Sequence, residues 1–460
     1  MTEPVNNIAP EKVLNRLRQN FGEDRVRVTT GAEYRVGAEE SRIVAVPQTQ
    51  EELGEMLRLA GAESWRVIPA GAGSWLEMGN PPTGFDLLIS TSHLGRLLDY
   101  EPADLTATLE AGHPLTSFNA IAGQHGQWIP LDPFGSPAST IGATIATASH
   151  GPLRGGFGTP RDWLIGIRVA QVDGRMTRAG GKVVKNVAGY DLCKLYTGSF
   201  GTLAIITEMT FKLRSRPPVD RTIMIQANGQ APGQATEANK AESLARLAAI
   251  TGEIRQSALQ PVAIEIVTPQ SVVPLPIEPE NPNLPTLVVR FSHEAEAVDS
   301  QIAETIKICG NVSKIDQTVL SEADAALFWK SYHDGETDQR WETSLRLSFL
   351  PADLPEILAL ASSRFPAAHQ RAHAANGTLR LHFVAGTGPK AGELSDFRQA
   401  LEARDGRQRG QMIILRAPAH LDSRIDTWGD PGPTSHLMQS IKQQYDPQQL
   451  LNPGRFVAGI

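Results

Sequence analysis

The chain has 460 residues, of which 41% are hydrophobic and 20% charged, and a formal net charge of −7. That length is too great for one ordinary core and predicts two domains or more. The acidic balance, with no basic stripe to meet phosphates, excludes nucleic acid as the default partner. Two distant cysteines, Cys193 and Cys309, exclude a disulfide framework and a zinc or iron–sulfur site.

The amino-terminal stretch lacks a basic start followed by an apolar run, so no signal peptide is expected. No stretch reaches the length of an apolar membrane span. A cytoplasmic protein is expected, reaching a membrane only through a partner. Residues 10–20 read as a surface helix. Ile43 to Val46 is a short β-branched run, and Thr49 followed by Glu52 at the capping-box spacing opens a helix with Leu53, Met56, Leu57 and Ala60 on its apolar face. Arg66 to Pro69 is the next strand, so the chain begins strand–helix–strand.

Directly after that strand comes Ala70-Gly71-Ala72-Gly73-Ser74. Alternating Gly and Ala can present successive N–H groups as a nest for a diphosphate. The third glycine of a dinucleotide fingerprint is missing and no clear helix follows, so this is not that motif. Asp86–Ser90 and Ala107–Ala111 read as strands. A helix is expected from about His113 to Gly123.

The stretch from Pro130 to Gly151 is built of small residues: Gly135, Ser136, Ala138, Ser139, Thr140, Gly142, Ala143, Thr144, Ala146, Ala148 and Ser149. Removing side-chain bulk lets backbone approach a flat or anionic ligand closely. The alternative is a tight internal turn with a small-residue helix packed on a sheet. Leu164–Val172 reads as a strand, and Asp173-Gly174 is the strongest hairpin signal in the chain. Gly180-Gly181-Lys182-Val183 is not a P-loop, because the preceding glycine and the Ser or Thr after the lysine are missing.

These residues resemble the FAD-binding domain of the vanillyl-alcohol-oxidase, or PCMH-type, flavoproteins. In that family a GS-x-x-x-T-I-G-G-like segment wraps the flavin, here Gly135-Ser136 through Thr140-Ile141-Gly142-Ala143. A G-T-L-x-x-I-T-like segment closes over it, here Gly201 to Thr207. Within the family, Lys185–Leu203 (KNVAGYDLCKLYTGSFGTL) is similar to the flavin-binding E subunits of glycolate oxidase.

The resemblance implies cofactor contacts at Ala70, Gly71, Ala72, Gly73 and Ser74, and at Pro133, Gly135, Ser136, Thr140, Ile141, Gly142, Ala143, Thr144 and Gly151. It adds Gly201, Ile206 and, in the terminal D-P-x-x-x-x-N-P-G-like motif, Asn452. His150 is either a flavin-side contact or a histidine satisfied by backbone in a turn. Tyr190 and Asp191 read as parts of a packed turn. No His stands in the first loop, so the FAD is expected to be non-covalent.

After Arg214 the composition shifts at Ser215-Arg216-Pro217-Pro218. Strands are expected at Arg221–Gln226, Val262–Val267, Leu287–Phe291, Leu345–Phe349, Thr378–Val384 and Met412–Leu415. Helices are expected at 236–250, 295–308, 321–331, 352–363 and 391–403. Pro274 to Pro285 reads as a surface loop. The expected fold class is α+β. It comprises a PCMH-type FAD-binding domain of two α/β subdomains (1–214), a cap domain with a mostly antiparallel sheet (215–425), and a carboxy-terminal segment returning to the first domain (426–460).

Relatives that oxidise 2-hydroxy acids carry an H-x-G-D-G-N-x-x-H-like metal segment in the second domain. Compared at Arg380–Gly388, this chain offers one histidine, His382, and no acidic partner, so no metal site is expected. His382 reads as a satisfied sheet residue and Arg380 as a salt-bridged one. Trp329, Tyr332 and His333 read as ordinary helix-end aromatics.

The resemblance implies an FAD-binding subunit of a glycolate oxidase or dehydrogenase complex. Its substrate would be a small 2-hydroxy acid, glycolate or D-lactate. Its partners would be a companion catalytic flavoprotein and iron–sulfur subunits. A non-catalytic relay or structural subunit, and a self-sufficient FAD oxidase of another alcohol or sugar acid, remain the alternatives.

Overall fold

The computed structural model describes residues 9–29, 34–36, 39–40, 43–182, 189–227, 236–272, 279, 281–402, 410–418, 421 and 425–460. Residues 185–188 of the KNVAGYD string, Val183, and half of the proline-rich loop 274–285 lie outside them.

Three sheets organise the chain. The first has four strands, in the spatial order Val26–Val28, Ile43–Ala45, Leu87–Ser90 and Val67–Ala70. Its outer pair is antiparallel and the rest parallel. The helix Gln50–Ala62 crosses between two of the parallel strands, and the Thr49 hydroxyl caps it by accepting from Glu52 N at 3.1 Å. Leu53, Met56, Leu57 and Ala60 seat that helix against Val67, Leu87 and Ile89. Each fully buried aliphatic side chain there contributes about 1.5–3 kcal/mol.

The second sheet has five antiparallel strands, ordered Met176–Gly180, Leu164–Ala170, Ile205–Lys212, Thr106–Glu110 and Leu97–Glu101. Asp173-Gly174 forms the expected hairpin, with Gly174 at φ 80°.

The third sheet has eight strands. In order they are Ile315–Val319, Val219–Ala227, Thr286–His293, Ala263–Val267, His369–His373, Thr378–Val384, Trp341–Phe349 and Gly410–Arg416, and every pairing is antiparallel. One face is apolar. Ile264, Ile266, Leu287, Val289, Ala372, Leu379, Leu381, Leu345 and Leu347 pack there under the helices Glu237–Gln256, Ala295–Val312, Leu354–Arg364 and Ala391–Glu402. The opposite face looks toward the first two sheets.

Two strands of this sheet escape the sequence reading, Ile315–Val319 and His369–His373. The first lies at the sheet edge and is half solvated. The second, His-Gln-Arg-Ala-His, has no strand propensity of its own and is held by partners on both sides.

Candidate functional site

A groove runs between the end of the strand Val67–Ala70 and the short helix Ile141–Thr147. Its walls are Pro69, Ala70, Gly71, Gly73, Ser74, Trp75, Leu76, Thr91, Gly142, Ala143, Ala146, Thr147, Phe200, Gly201, Ala204, Ile205, Ile206, Asn452 and Arg455. About 650 Å³ of space, open solvent included, lies between them.

Local packing explains the small residues. A Cβ on Gly71 would meet Thr140 Oγ1 at 2.0 Å, and one on Gly142 would meet the Ala111 Cβ at 2.7 Å. Thr140 caps the helix by accepting from Ala143 N at 3.3 Å, and Ser139 Oγ donates to Ser74 Oγ at 2.8 Å. Loop and helix are thus one unit. Phe200 and Gly201 both adopt positive φ, 57° and 69°, to turn the chain over the groove.

The carboxy terminus closes the groove. Lys442 and Asp446 form a buried ion pair at 2.7 Å, and Lys442 Nζ also donates to the carbonyls of Thr202 and Leu451. Leu451 then bridges Val67 alongside the first sheet, and Asn452 N donates to Val67 O at 2.8 Å. Asn452 Nδ2 donates to the Phe200 carbonyl, and Arg455 donates to the carbonyls of Leu76 and Met78.

Of the residues expected to contact a cofactor, the groove gathers Ala70, Gly71, Gly73, Ser74, Gly142, Ala143, Gly201, Ile206 and Asn452. Ala72 and Ser136 face solvent. Gly135 (φ 114°) lies behind Ser74 and Trp75, and Thr140, Ile141 and Thr144 form the buried side of the helix. Trp75, Phe200 and Arg455 are groove residues that sequence reasoning passed over. Trp75 Nε1 and Arg455 Nε are buried there without a hydrogen-bond partner, two donors that suit the carbonyl and phosphate oxygens of a flavin nucleotide.

Pro133, Gly151 and His150 serve the seam with the eight-stranded sheet instead. Pro133 sits between Asp132 and Phe134. Phe134 is fully buried among Val267, Val288, Phe328, Trp329 and Tyr332 of the third sheet and its helix. Asp132 accepts from Gly151 N (3.1 Å) and Leu153 N (2.9 Å), and lies 3.3 Å from His333 Nε2. Burial alone would lower the His333 pKa, but the Asp132 hydrogen bond and charge outweigh it and raise the value. Trp329, Tyr332 and His333 are therefore packed as expected, with His333 also bridging to the first half of the chain.

His150 has both ring nitrogens engaged. Nδ1 is 2.9 Å from the Ala148 carbonyl, which can only accept, and Nε2 is 2.9 Å from Arg154 Nη1, which can only donate. The ring is neutral; burial and the neighbouring Arg154 push its pKa down to about 3.

The sheet face beyond this seam is charged. Arg371, Arg380 and Arg346 stand directly opposite one another on three adjacent strands, so they share that face. Glu336 pairs with Arg380 and lies 3.7 Å from Arg371 and 3.4 Å from His382 Nε2. Burial favours the neutral acid there, but Arg380, His382 and Arg371 hold the Glu336 carboxyl far below the usual range. Arg380 is salt-bridged, as the sequence suggests; His382 Nδ1 is hydrogen-bonded to Ser344 at 2.9 Å, but its Nε2, near Glu336, is buried without a hydrogen bond, so the ring is only half satisfied.

Deeper in, Tyr332 donates to Glu265 at 2.7 Å, and burial pushes that carboxyl up. His373 Nδ1 lies 2.8 Å from the same carboxyl without aligning for a hydrogen bond, and its Nε2 has no partner. Among the described residues no group of three His, Cys, Asp or Glu side chains converges as metal ligands. The turn His373-Ala374-Ala375-Asn376-Gly377-Thr378, with Gly377 at φ 64°, fits the first half of the H-x-G-D-G-N pattern better than Arg380–Gly388 does. Both cysteines are buried.

Comparison with known proteins agrees with this geometry. Residues 41–180 match the FAD binding domain family, and residues 431–456 match the C-terminal domain of FAD linked oxidases. The 4-ethylphenol oxidase of Gulosibacter chungangensis superposes with a TM-score of 0.71 over 98% of both chains at 14% identity. The chain is an FAD-dependent oxidoreductase with a PCMH-type FAD-binding fold, an α+β protein.

Within that class it is similar along most of its length to a D-2-hydroxyglutarate dehydrogenase of Xanthomonas citri pv. viticola, 27% identical over 90% of this chain and 88% of the relative. It is also similar to glycolate oxidase subunit GlcE of Escherichia coli, 36% identical over 36% of this chain and 47% of the relative.

Proposed function

We propose that this FAD-dependent oxidoreductase oxidises the CH–OH group of a small 2-hydroxy acid to the 2-oxo acid, with glycolate and D-lactate the substrates to try first. The observation that carries the reading is positional. The groove helix Ile141–Thr147 ends three residues before His150, whose Nε2 lies 2.9 Å from Arg154 and whose ring feels the charges of Arg346 and Arg380 on the sheet face. A flavin groove thus opens beside cations suited to a carboxylate. The printed activities of the relatives, D-2-hydroxyglutarate dehydrogenase and glycolate oxidase, support the same substrate class.

FAD, when bound, supplies the two-electron acceptor. In this reading Ala70, Gly71, Gly73 and Ser74 offer backbone N–H groups to its diphosphate. Gly142, Ala143 and Ala146 leave room for its flat parts, and Asn452 and Arg455 close the groove from the carboxy terminus. The proposed division is a flavin domain at 1–214, a cap at 215–425 and a returning segment at 426–460.

A second reading, a relay subunit, is favoured by the state of the histidines. His150 has no free nitrogen, His333 is engaged by Asp132, which raises its pKa, and burial holds His373 near a pKa of about 3, a weak base. In both readings electrons leave through another chain, because the two cysteines are buried and far apart. The partial similarity to GlcE supports a glycolate-oxidase-like complex with a companion flavoprotein and iron–sulfur subunits. No helix among the described residues is long and apolar enough to cross a membrane; we place the chain in the cytoplasm, docked to any membrane through those partners.

The test is the visible spectrum of the chain purified alone, then anaerobic glycolate and D-lactate. A yellow protein bleached by either supports catalysis by this chain. A yellow protein reduced only when companion subunits are added supports the relay. A colourless protein that cannot be reconstituted with FAD defeats both readings.

A further inference from the structure

Three guanidiniums stand side by side on one sheet face, and one carboxylate serves two of them. Arg380 is paired with Glu336 and lies 4.2 Å over the Phe134 ring. Arg371 is buried, close to Glu336, and donates to the carbonyls of Tyr332 and Ser271. Arg346 has no ion-pair or hydrogen-bond partner among the described residues, and its Nε is shut off from water. A guanidinium in that state is expensive unless an anion joins it.

Glu336 acts on it through space but is paired with Arg380, and no other carboxylate among the described residues forms an ion pair with Arg346. Its cross-strand neighbours are Arg380 on one side and Ile413 on the other. Flanking it on its own strand are Ser344, already bonded to His382, and Ser348. Burial pushes the Glu265 carboxyl on the same face up, and Asp132 is committed to His333 and two backbone N–H groups.

From the other side of the seam comes Arg154, at the head of the short helix Arg154–Phe157. That helix is fixed to the sheet by Gly156 N donating to Val262 O at 3.0 Å. Asp162, the acid nearest in sequence to Arg154, is turned to Thr159 at 2.7 and 2.8 Å. The His150 ring fixes the Arg154 guanidinium, and the Ala148 carbonyl fixes that ring in turn. Burial and the charges of Arg380 and Arg154 push the Arg346 pKa down to about 10, so it remains a cation.

We propose that Arg346 and Arg154 form a two-sided anion subsite for a carboxylate, one cation from each half of the chain, with His150 as the positioning residue that aims Arg154. The subsite deepens the 2-hydroxy acid reading and rests on it for the identity of the ligand. It also assigns His150 a role other than that of a base: its only lone pair is taken by Arg154. Because the two cations come from different halves of the chain, a bound carboxylate would hold the seam closed over the groove.

The probe is oxalate, with neutral oxamide as its uncharged counterpart, titrated calorimetrically into the full chain as purified. Wild type should bind oxalate at least tenfold more tightly than oxamide. Arg346→Gln should lose at least tenfold in oxalate affinity, and Arg346→Lys should recover part of it without the bidentate geometry. His150→Leu should weaken oxalate while His150→Gln, whose amide oxygen can still accept from Arg154, should largely rescue it at an unchanged melting temperature.

The proposal falls if wild type does not prefer oxalate to oxamide, or if folded Arg346→Gln binds oxalate like wild type. Should Arg346→Gln not fold, the wild-type pair of titrations and Arg154→Gln decide. A colourless chain with Arg346-dependent oxalate binding would leave the subsite standing and remove the flavin reading. A yellow chain bleached by glycolate but indifferent to Arg346 would do the reverse.

Discussion

At the scale of single residues, Glu336 and Gly71 carry the clearest consequences. Glu336 is the shared counter-ion of Arg380 and Arg371, so Glu336→Gln leaves two buried guanidiniums uncompensated and should cost about 3–5 kcal/mol. The pH dependence follows from the direction of its shift. A carboxyl held far below its ordinary value of 4.5 contributes stability that is fully present above that value. The contribution is lost as pH falls through the lower folded value. Urea unfolding at pH 7 and pH 4 should therefore show wild type weakening toward acid more than Glu336→Gln does; equal slopes would refute the assignment. Gly71→Ala puts a Cβ 2.0 Å from Thr140 Oγ1, so the loop must shift. Its flavin content, read as absorbance per protein, should fall severalfold, and a fully yellow Gly71→Ala would show the loop is not held by that contact. The glycine was visible in sequence as part of a nest. Its reason, the Thr140 side chain, was not, because the two are 69 residues apart and meet only in the fold.

Among the elements, the carboxy-terminal segment depends on one buried pair. Asp446 accepts from Leu450 N and Leu451 N as well as from Lys442. Asp446→Ala strands the Lys442 charge and frees the segment that brings Asn452 and Arg455 to the groove. A loss of about 3–5 kcal/mol is expected, together with faster proteolytic cutting after residue 445. Stability within 1 kcal/mol of wild type would mean that the segment is held by its apolar contacts alone. The strand His369–His373 shows the limit of propensity at this scale. Its residues His, Gln, Arg, Ala and His carry little strand propensity, and no strand is expected there from the sequence. In the sheet the alternation of His, Arg and His is the charged face itself, repeated in Thr378-Leu379-Arg380-Leu381-His382 and in Ser344-Leu345-Arg346-Leu347-Ser348. Period-two alternation with cations in the polar positions was the available signal for Arg346.

For the molecule as a whole, the seam between the groove and the eight-stranded sheet is crossed by the Phe134 ring and by the Asp132–His333 contact, beside the Gly156–Val262 hydrogen bond and the Arg416–Glu77 ion pair. Phe134→Ala empties a packed position on the sheet side and should cost about 3–5 kcal/mol; a loss under 1 kcal/mol would show that the seam repacks freely. His333 and Asp132 make a charged contact. A histidine whose folded pKa is raised contributes stability fully present below its unfolded value, about 6.5, and lost as pH rises through the folded value. Denaturation between pH 6 and pH 9 should show that loss in wild type and not in His333→Gln. The same slope in both proteins would remove His333 from the seam.

The sequence by itself determined the flavin fold, the groove loops and the return of the terminal motif. Those depend on local chemistry: small residues that admit a ligand, a cap three residues before a glutamate, glycines that tolerate positive φ. Tertiary structure alone decided which small residues reach the groove and which turn to the seam. It alone set three arginines in register and left one without a counter-ion. Register is fixed by pairing between strands far apart in the chain, and a charge becomes conspicuous only when folding takes away its water and gives it no partner.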